Sequence, residues 1–322
     1  MSRKGFLLHR ASTCLRLAKF VWAILLLLWS GASAEEPTIR VTFLFSFGRF
    51  GEENGCFNQP GGLSVDPAGN VYVADTGNHR LQKFTGNGAW LAAIGGFGWD
   101  AEQFNRPLDV VSPNGLDVFV ADYENNRIER YDRDLNWILT IRTDETIEQG
   151  KRFALPRSLA VSLHSNLFIV DNENRRVLKM NSQYIPTTIF ADFNWGDGEL
   201  LRPGQCALDR SDRLYVCDEL SRKIMIYDYF GNFLDFIDHP ELGVPSGIAL
   251  WRDEVIVVGN RTTDRLIFLS PEGKIFGQFG GSGAKFGAFR HISDLAVTGN
   301  RLYVSDMENH RIQVFELDYD RP

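Results

Sequence analysis

The sequence predicts an all-β fold: a closed six-bladed propeller of four-stranded antiparallel blades. Three regularities carry the prediction. Six diverged copies of one unit run through residues 57–315. In each copy an acid, or its replacement, ends an apolar segment at Asp75, Asp122, Asp171, Asp218, Asn260 and Asp306. A base follows five residues later every time, at Arg80, Arg127, Arg176, Lys223, Arg265 and Arg311. The acids are spaced 47, 49, 47, 42 and 46 residues apart, a period typical of propellers and similar arrays.

Within the clearest copy, 57–84, the first strand ends at a turn, Asp66-Pro67-Ala68-Gly69-Asn70. There proline and glycine set the backbone, and Asp and Asn bond locally. Residues 71–74 form the second strand and 81–84 the third. A fourth precedes the next copy, at 90–94, 137–141, 187–190, 233–237 and 275–279. The strands are apolar on both faces, as expected of blades sandwiched between neighbours. The sixth copy has no fourth strand of its own, and a spare apolar segment at 42–47 precedes the first copy. Gly48 lies nine residues before Phe57, as Gly95 does before Phe104 and Gly280 before Phe289. The N-terminal strand is therefore expected to complete the last blade as a clasp, which removes an open sheet edge.

Residues 1–34 are expected to be a secretory signal peptide, and 35–322 a single propeller domain. Arg3, Lys4, Arg10, Arg16 and Lys19 make a basic leader, 20–29 is an unbroken apolar run, and Ala32-Ser33-Ala34 is a small-x-small cleavage site. Ten apolar residues are too few to cross a bilayer, which takes about 20. An uncleaved anchor would need the run to extend through Leu15 and Leu17, where Arg16 and Lys19 interrupt it. The expected location is thus secreted or periplasmic, with no membrane insertion after cleavage.

The chain has 34 Lys and Arg against 41 Asp and Glu. Removing the leader's five bases leaves 29 against 41, a net charge of −12. That balance argues against a nucleic-acid partner, because phosphate binding needs a basic footprint. Cys56, Cys206 and Cys217 would remain, too few for a disulfide scaffold. Cys206 and Cys217 lie on neighbouring strands, so a bridge between them and burial as small hydrophobes both fit.

The pattern resembles the NHL repeat family. The likeness rests on Phe57-Asn58-Gln59-Pro60 and Phe104-Asn105-Arg106-Pro107, on Val73-Ala74-Asp75 with Asn78-His79-Arg80-Leu81, and on Ser305-Asp306 with Asn309-His310-Arg311-Ile312. It covers residues 39–317. Copy four departs with Lys223, and copy five with Asn260 and no Gly-Asn turn. The resemblance implies the propeller fold without specifying an activity.

The six acid–base pairs recur in every blade, so they are expected to be structural, each bridging the turn between two strands. Function is sought instead where blades differ. The innermost strands open with Gly61-Gly62, Leu108-Asp109, Arg157-Ser158, Gly204-Gln205, Ser246-Gly247 and Ser293-Asp294, preceded by Gln59, Arg106, Leu155, Arg202, Val244 and His291. The channel mouth is therefore expected to carry Arg106, Asp109, Arg157, Arg202, Gln205, His291 and Asp294, either as a ligand site or as a solvated entrance.

Related propellers that act as amidating lyases hold zinc on three histidines placed just after the opening proline. The corresponding places here are Gly61, Leu108, Arg157, Gly204, Ser246 and Ser293, so no metal cofactor is expected from that source. Calcium on Asp109, Asp294 and backbone oxygens is an alternative. No Gly-x-Ser-x-Gly elbow occurs. Gly280-Gly281-Ser282-Gly283 follows an outer strand and opens no helix, unlike a phosphate cradle. Asn260-Arg261-Thr262 is an N-glycosylation triplet.

These features point to a non-enzymatic scaffold for a protein, peptide or glycan. The loops opening the blades, 49–59, 97–106, 143–155, 194–202 and 281–290, are long and dissimilar, and they carry Phe50, Phe97, Trp99, Phe193 and Trp195 as candidate anchors. A lyase or hydrolase at the channel mouth is the alternative. RNA binding, as in some cytoplasmic members of the resembled family, is disfavoured by the leader and the charge.

Overall fold

Twenty-four strands form six four-stranded sheets in a computed structural model that describes residues 38–193 and 196–320. The innermost strands are Pro60–Val65, Pro107–Val111, Pro156–Val161, Pro203–Leu208, Pro245–Trp251 and Ile292–Thr298. Each sheet is ordered outward from its innermost strand, and every strand pairing with a defined register is antiparallel. This is the six-bladed propeller read from the repeats. Residues 39–319 make one compact unit.

The last sheet closes as expected: Thr38–Phe47 pairs with Arg311–Asp320 as its outermost strand. The clasp also packs. It sends Ile39, Val41 and Phe43 into the apolar cluster between blades five and six, and Phe45 and Phe47 into the one between blades six and one.

Burial explains the doubly apolar strands. Val71–Asp75 is buried throughout, as are Leu167–Asp171, Leu214–Asp218 and Val255–Asn260. Each apolar cluster is shared by successive blades. One joins Tyr72, Ala74 and Leu81 to Val110, Val118 and Val120, and the closing one joins Phe57, Val71 and Val73 to Tyr303, Ile312 and Val314.

The repeat acid explains each turn. Asp75 Oδ1 accepts the backbone N–H of Asn58 at 2.7 Å, and Asp75 Oδ2 accepts Arg80 Nε at 2.7 Å. Arg80 then donates to the Glu52, Glu53 and Cys56 carbonyls of the opening loop. The same ion pair forms between Asp122 and Arg127 at 2.7 Å, Asp171 and Arg176 at 2.9 Å, and Asp306 and Arg311 at 2.8 Å. Two expected pairs do not form. Asp218 is taken up by the N–H groups of Leu201, Arg202, Leu220 and Ser221, and Lys223 turns to Asp238 at 3.6 Å and the face of Phe236. Asn260 donates to the Glu241 carbonyl at 2.7 Å, while the exposed Arg265 reaches Gln278 at 3.3 Å. Asn260 is buried, so the glycosylation triplet has no accessible amide in the folded chain.

Cys56, Cys206 and Cys217 are free and buried, and no disulfide joins the last two. Burial pushes both of their thiols up, away from the reactive thiolate.

Candidate functional site

Two repeated devices shape the channel. The first is a latch between blades. The residue four after the repeat acid is left-handed in every copy: His79, Asn126, Arg175, Arg222, Asp264 and His310 have φ between 50° and 61°. In four copies its side chain accepts the backbone N–H of the residue just before the next blade's innermost strand. His79 Nδ1 accepts from Arg106 at 3.0 Å and Asn126 Oδ1 from Leu155 at 2.7 Å. Asp264 Oδ1 accepts from His291 at 2.9 Å and His310 Nδ1 from Gln59 at 3.1 Å. The latched residues Gln59, Arg106, Leu155 and His291 are themselves left-handed.

The second device is a β-bulge at the start of every innermost strand, where the register shifts just after the opening residue. A bulge leaves backbone groups unpaired in the ladder. Side chains of the same strand or of a neighbouring innermost strand satisfy them here. Asp109 accepts from Val110 N–H at 2.8 Å, from Leu159 N–H at 2.7 Å and from Ser158 Oγ at 2.8 Å. Asp294 accepts from Leu63 N–H at 2.8 Å, and Ser158 Oγ accepts from Cys206 N–H at 3.1 Å.

The mouth beside the opening loops is a cavity of about 430 Å³. Of the expected mouth residues, Arg106, Arg157, Gln205 and His291 line it. Asp109 and Asp294 do not. They are buried at the channel's waist and line the opposite opening, with Gln205 reaching both cavities. The bulges turn these carboxyls inward onto N–H donors. Arg202 also stays outside, exposed. Its N–H goes to Asp218 of its own blade instead of to a latch, and its backbone is not left-handed.

Sequence reading missed Glu219 and Arg261. Both immediately follow a repeat acid position, as do Thr76, Tyr123 and Met307, and all five line the mouth. That register was the available signal. Glu219 is the centre of the charged sector. Its side chain is 4% exposed and holds Arg157 Nη2 at 2.5 Å on Oε1 and Arg261 Nη2 at 3.2 Å on Oε2. Arg106 pairs with Glu124 at 3.0 Å over the Tyr123 ring.

Titration follows this geometry. Burial, then the Arg106 charge, lowers His79, which leaves it neutral with a free Nδ1 lone pair for its latch. Burial, then Arg261, lowers His291, with Glu308 opposing. At the waist, burial raises Asp109 despite four hydrogen bonds. Burial and the Asp109 charge together raise Asp294. The two acids come from blades two and six and the Gln205 amide from blade four, and that amide favours the ionised form of each.

The zinc histidines of the amidating lyases have no counterparts here, and among the described residues no group of three or more His, Cys, Asp or Glu is placed to hold a metal. A calcium ion at Asp109 and Asp294 would have to displace N–H and O–H donors, whereas its shell is built of oxygen acceptors.

The opening loops carry exposed aromatics, some of them against the latch histidines. Phe50 and Phe97 lie edge-on against His310 and His79, at 4.8 and 5.1 Å, and Trp99 packs on Phe97 at 5.1 Å. Phe50, Phe97, Trp99 and Phe193 are 58–68% exposed. Trp195 lies outside the described residues.

Fold and repeats together define a six-bladed β-propeller. The chain carries NHL repeats: the NHL repeat family model matches residues 57–84 and 289–315. It is also 41% identical over 49 residues to the B-box type zinc finger protein ncl-1 of Caenorhabditis elegans; the match spans 15% of this chain and 6% of that protein. Among solved structures it resembles a structural genomics protein of unknown function from Bacteroides thetaiotaomicron, with a TM-score of 0.67 at 13% identity over 88% of this chain and 77% of that one. It is similar to virginiamycin B lyase from Staphylococcus aureus, with a TM-score of 0.60 at 13% identity over 87% and 99% of the two chains. A gluconolactonase from Xanthomonas campestris gives 0.62 at 14% identity over 89% and 99%. At these identities the likeness is one of fold.

Proposed function

We propose that the chain is an exported, non-enzymatic scaffold that binds a protein, peptide or glycan on the face formed by its blade-opening loops. The observation that carries this is the set of exposed aromatics on the opening loops, Phe50, Phe97, Trp99 and Phe193, together with a concave polar mouth whose latch histidines two of them touch. Exposed aromatics have a solvation reason to be covered by a partner, and rigid scaffolds present such anchors on loops. The latches add support, since His79 links Phe97 to the backbone of Arg106 and so fixes anchor and mouth in one frame.

Binding is favoured over catalysis by how two of the mouth's acid–base groups, Glu219 and His79, are engaged. Glu219 is held by two guanidinium groups, and the His79 Nδ1 lone pair is occupied by a backbone N–H. A general base needs a free lone pair within reach of the proton it removes.

The test is a peptide and glycan array probed with the wild-type chain and with Phe97→Ser/Trp99→Ser. The variant is expected to lose ~10-fold or more of the bound signal with its thermal midpoint unchanged. Equal signals from both proteins would sink the assignment of the face. Export has its own readout: N-terminal sequencing of the protein recovered from its native cell should begin at Glu35.

A further inference from the structure

We infer that the channel mouth takes a carboxylate of a peptide ligand between Arg157 and Arg261. This rests on the reading of the opening-loop face as the binding surface and names the chemistry at its centre.

The argument starts from what Glu219 does to its neighbours. Blades three, four and five contribute Arg157, Glu219 and Arg261 to one sector of the cavity. Glu219 lies beneath, 4% exposed, while the Arg157 and Arg261 side chains above it are 29% and 32% exposed. Each spends one Nη on Glu219. A guanidinium has five N–H donors, so donors remain on both. Arg157 Nε is buried and has no hydrogen-bond partner, so the donors Arg157 can offer the cavity are on its Nη groups. The buried carboxylate therefore orients two guanidinium groups on side chains that line the cavity and stay about a third exposed. Two guanidinium charges against one carboxylate leave this sector cationic, in a chain whose acids outnumber its bases 41 to 34. The facing wall, with Gln59, Thr76 and Ser293, is polar and uncharged.

Planar anions that accept two parallel N–H bonds fit guanidinium groups best. A cavity of about 430 Å³ holds a chain end or an acidic side chain. A polyanion such as nucleic acid would meet the repulsion of the acidic surface, whereas a single carboxylate feels the local field of the concave mouth. The exposed aromatics of the opening loops favour a peptide over an acidic glycan: three of the four are phenylalanines, which offer apolar anchor surface and no polar handle.

The test uses the full chain and randomised hexapeptide pools read by fluorescence polarisation. One pool lacks Asp and Glu and has a free C terminus, one has the same composition but is amidated, and one is amidated and contains Asp and Glu. Oligogalacturonate is the glycan probe. At least one carboxylate-bearing pool is expected to bind ~10-fold more tightly than the neutral amidated pool, and to lose that advantage in Arg157→Gln and in Arg261→Gln but not in the exposed control Arg265→Gln. Which acidic pool wins tells a chain end from a side chain. Citrate competition against the wild type gives the same readout should an arginine variant fail to fold. Equal binding of all three pools, lost on Phe97→Ser, would overturn this inference and leave the face assignment standing. No peptide binding at all would remove both. Binding of oligogalacturonate alone would overturn the peptide assignment.

Discussion

His79 accepts a hydrogen bond from the backbone N–H of Arg106 through Nδ1 at 3.0 Å, which joins the first blade to the second at the lip of the channel mouth. The bond needs an unprotonated Nδ1. The folded pKa of His79 lies below its usual 6.5. Its contribution is therefore fully present above the unfolded pKa of 6.5 and is lost as pH falls through the lower folded value. Asn126 does the same work in the second blade with no titrating group. His79→Asn is thus expected to keep the latch and to lose less stability than the wild type between pH 7.5 and pH 5. Thermal midpoints at the two pH values check this, and identical slopes would rule out the histidine as the titrating latch.

At the waist the sign reverses. Asp109 and Asp294 are raised by burial, and Asp294 also by the Asp109 charge. A raised acid contributes stability that is fully present below its unfolded pKa and is lost as pH rises through the folded one. Asp294→Asn keeps an acceptor for Leu63 N–H and removes one of the two charges. Urea unfolding from pH 5 to pH 8 should show a smaller fall in stability for this variant than for the wild type. Asp294→Ala leaves Leu63 N–H without its acceptor and should cost ~1–3 kcal/mol.

Arg127 and Arg265 hold the same repeat position and should respond oppositely. Arg127 is buried, pairs with Asp122 and Glu129, and donates to the carbonyls of Trp99, Asp100 and Gln103. A lysine cannot reproduce that fork. Arg127→Lys should cost ~2–4 kcal/mol, as removing one partner of a buried charge does. Arg265 is exposed, so Arg265→Lys should stay within ~0.5 kcal/mol. Chemical denaturation of both variants makes the comparison, and equal losses would mean that the repeat base acts independently of its burial.

The clasp can be tested through Phe47, whose ring lies 4.9 Å from Phe84 and 6.3 Å from Phe57. Phe47 is partly buried in the cluster between the last and first blades. Phe47→Ala should cost ~2–3 kcal/mol, toward or below the low end of fully buried aromatic truncations. The exposed Phe230 provides the control, with Phe230→Ala expected to be near neutral in the same unfolding measurement.

Much of the fold was legible because the repeats encode it locally. An acid five residues before a base, across one turn, is a within-blade relationship, and four copies form the ion pair it implies. Asp218 and Asn260 break the pattern because their neighbourhoods differ: four N–H groups occupy Asp218, and an amide replaces the carboxylate at Asn260. The mouth was half legible. Arg106, Arg157, Gln205 and His291 were found by counting from the opening prolines. Glu219 and Arg261 were missed because they sit at a second lining position, one after the repeat acid. Asp109 and Asp294 were misplaced because alternation along a strand does not anticipate a bulge.

By itself the sequence determined the number of blades, their strand order and the clasp, since each follows from spacing that repeats within 42–49 residues. Only the tertiary structure decided how the candidate site is assembled. Arg157 meets Glu219 across 62 residues and Arg261 meets it across 42, each pair spanning different blades. Such meetings depend on how the bulge between Pro156 and Ser158 aims Arg157 and on closure of the ring. Neither leaves a periodic trace, because side-chain direction at a bulge is set by which backbone donors need a partner once the blades are packed.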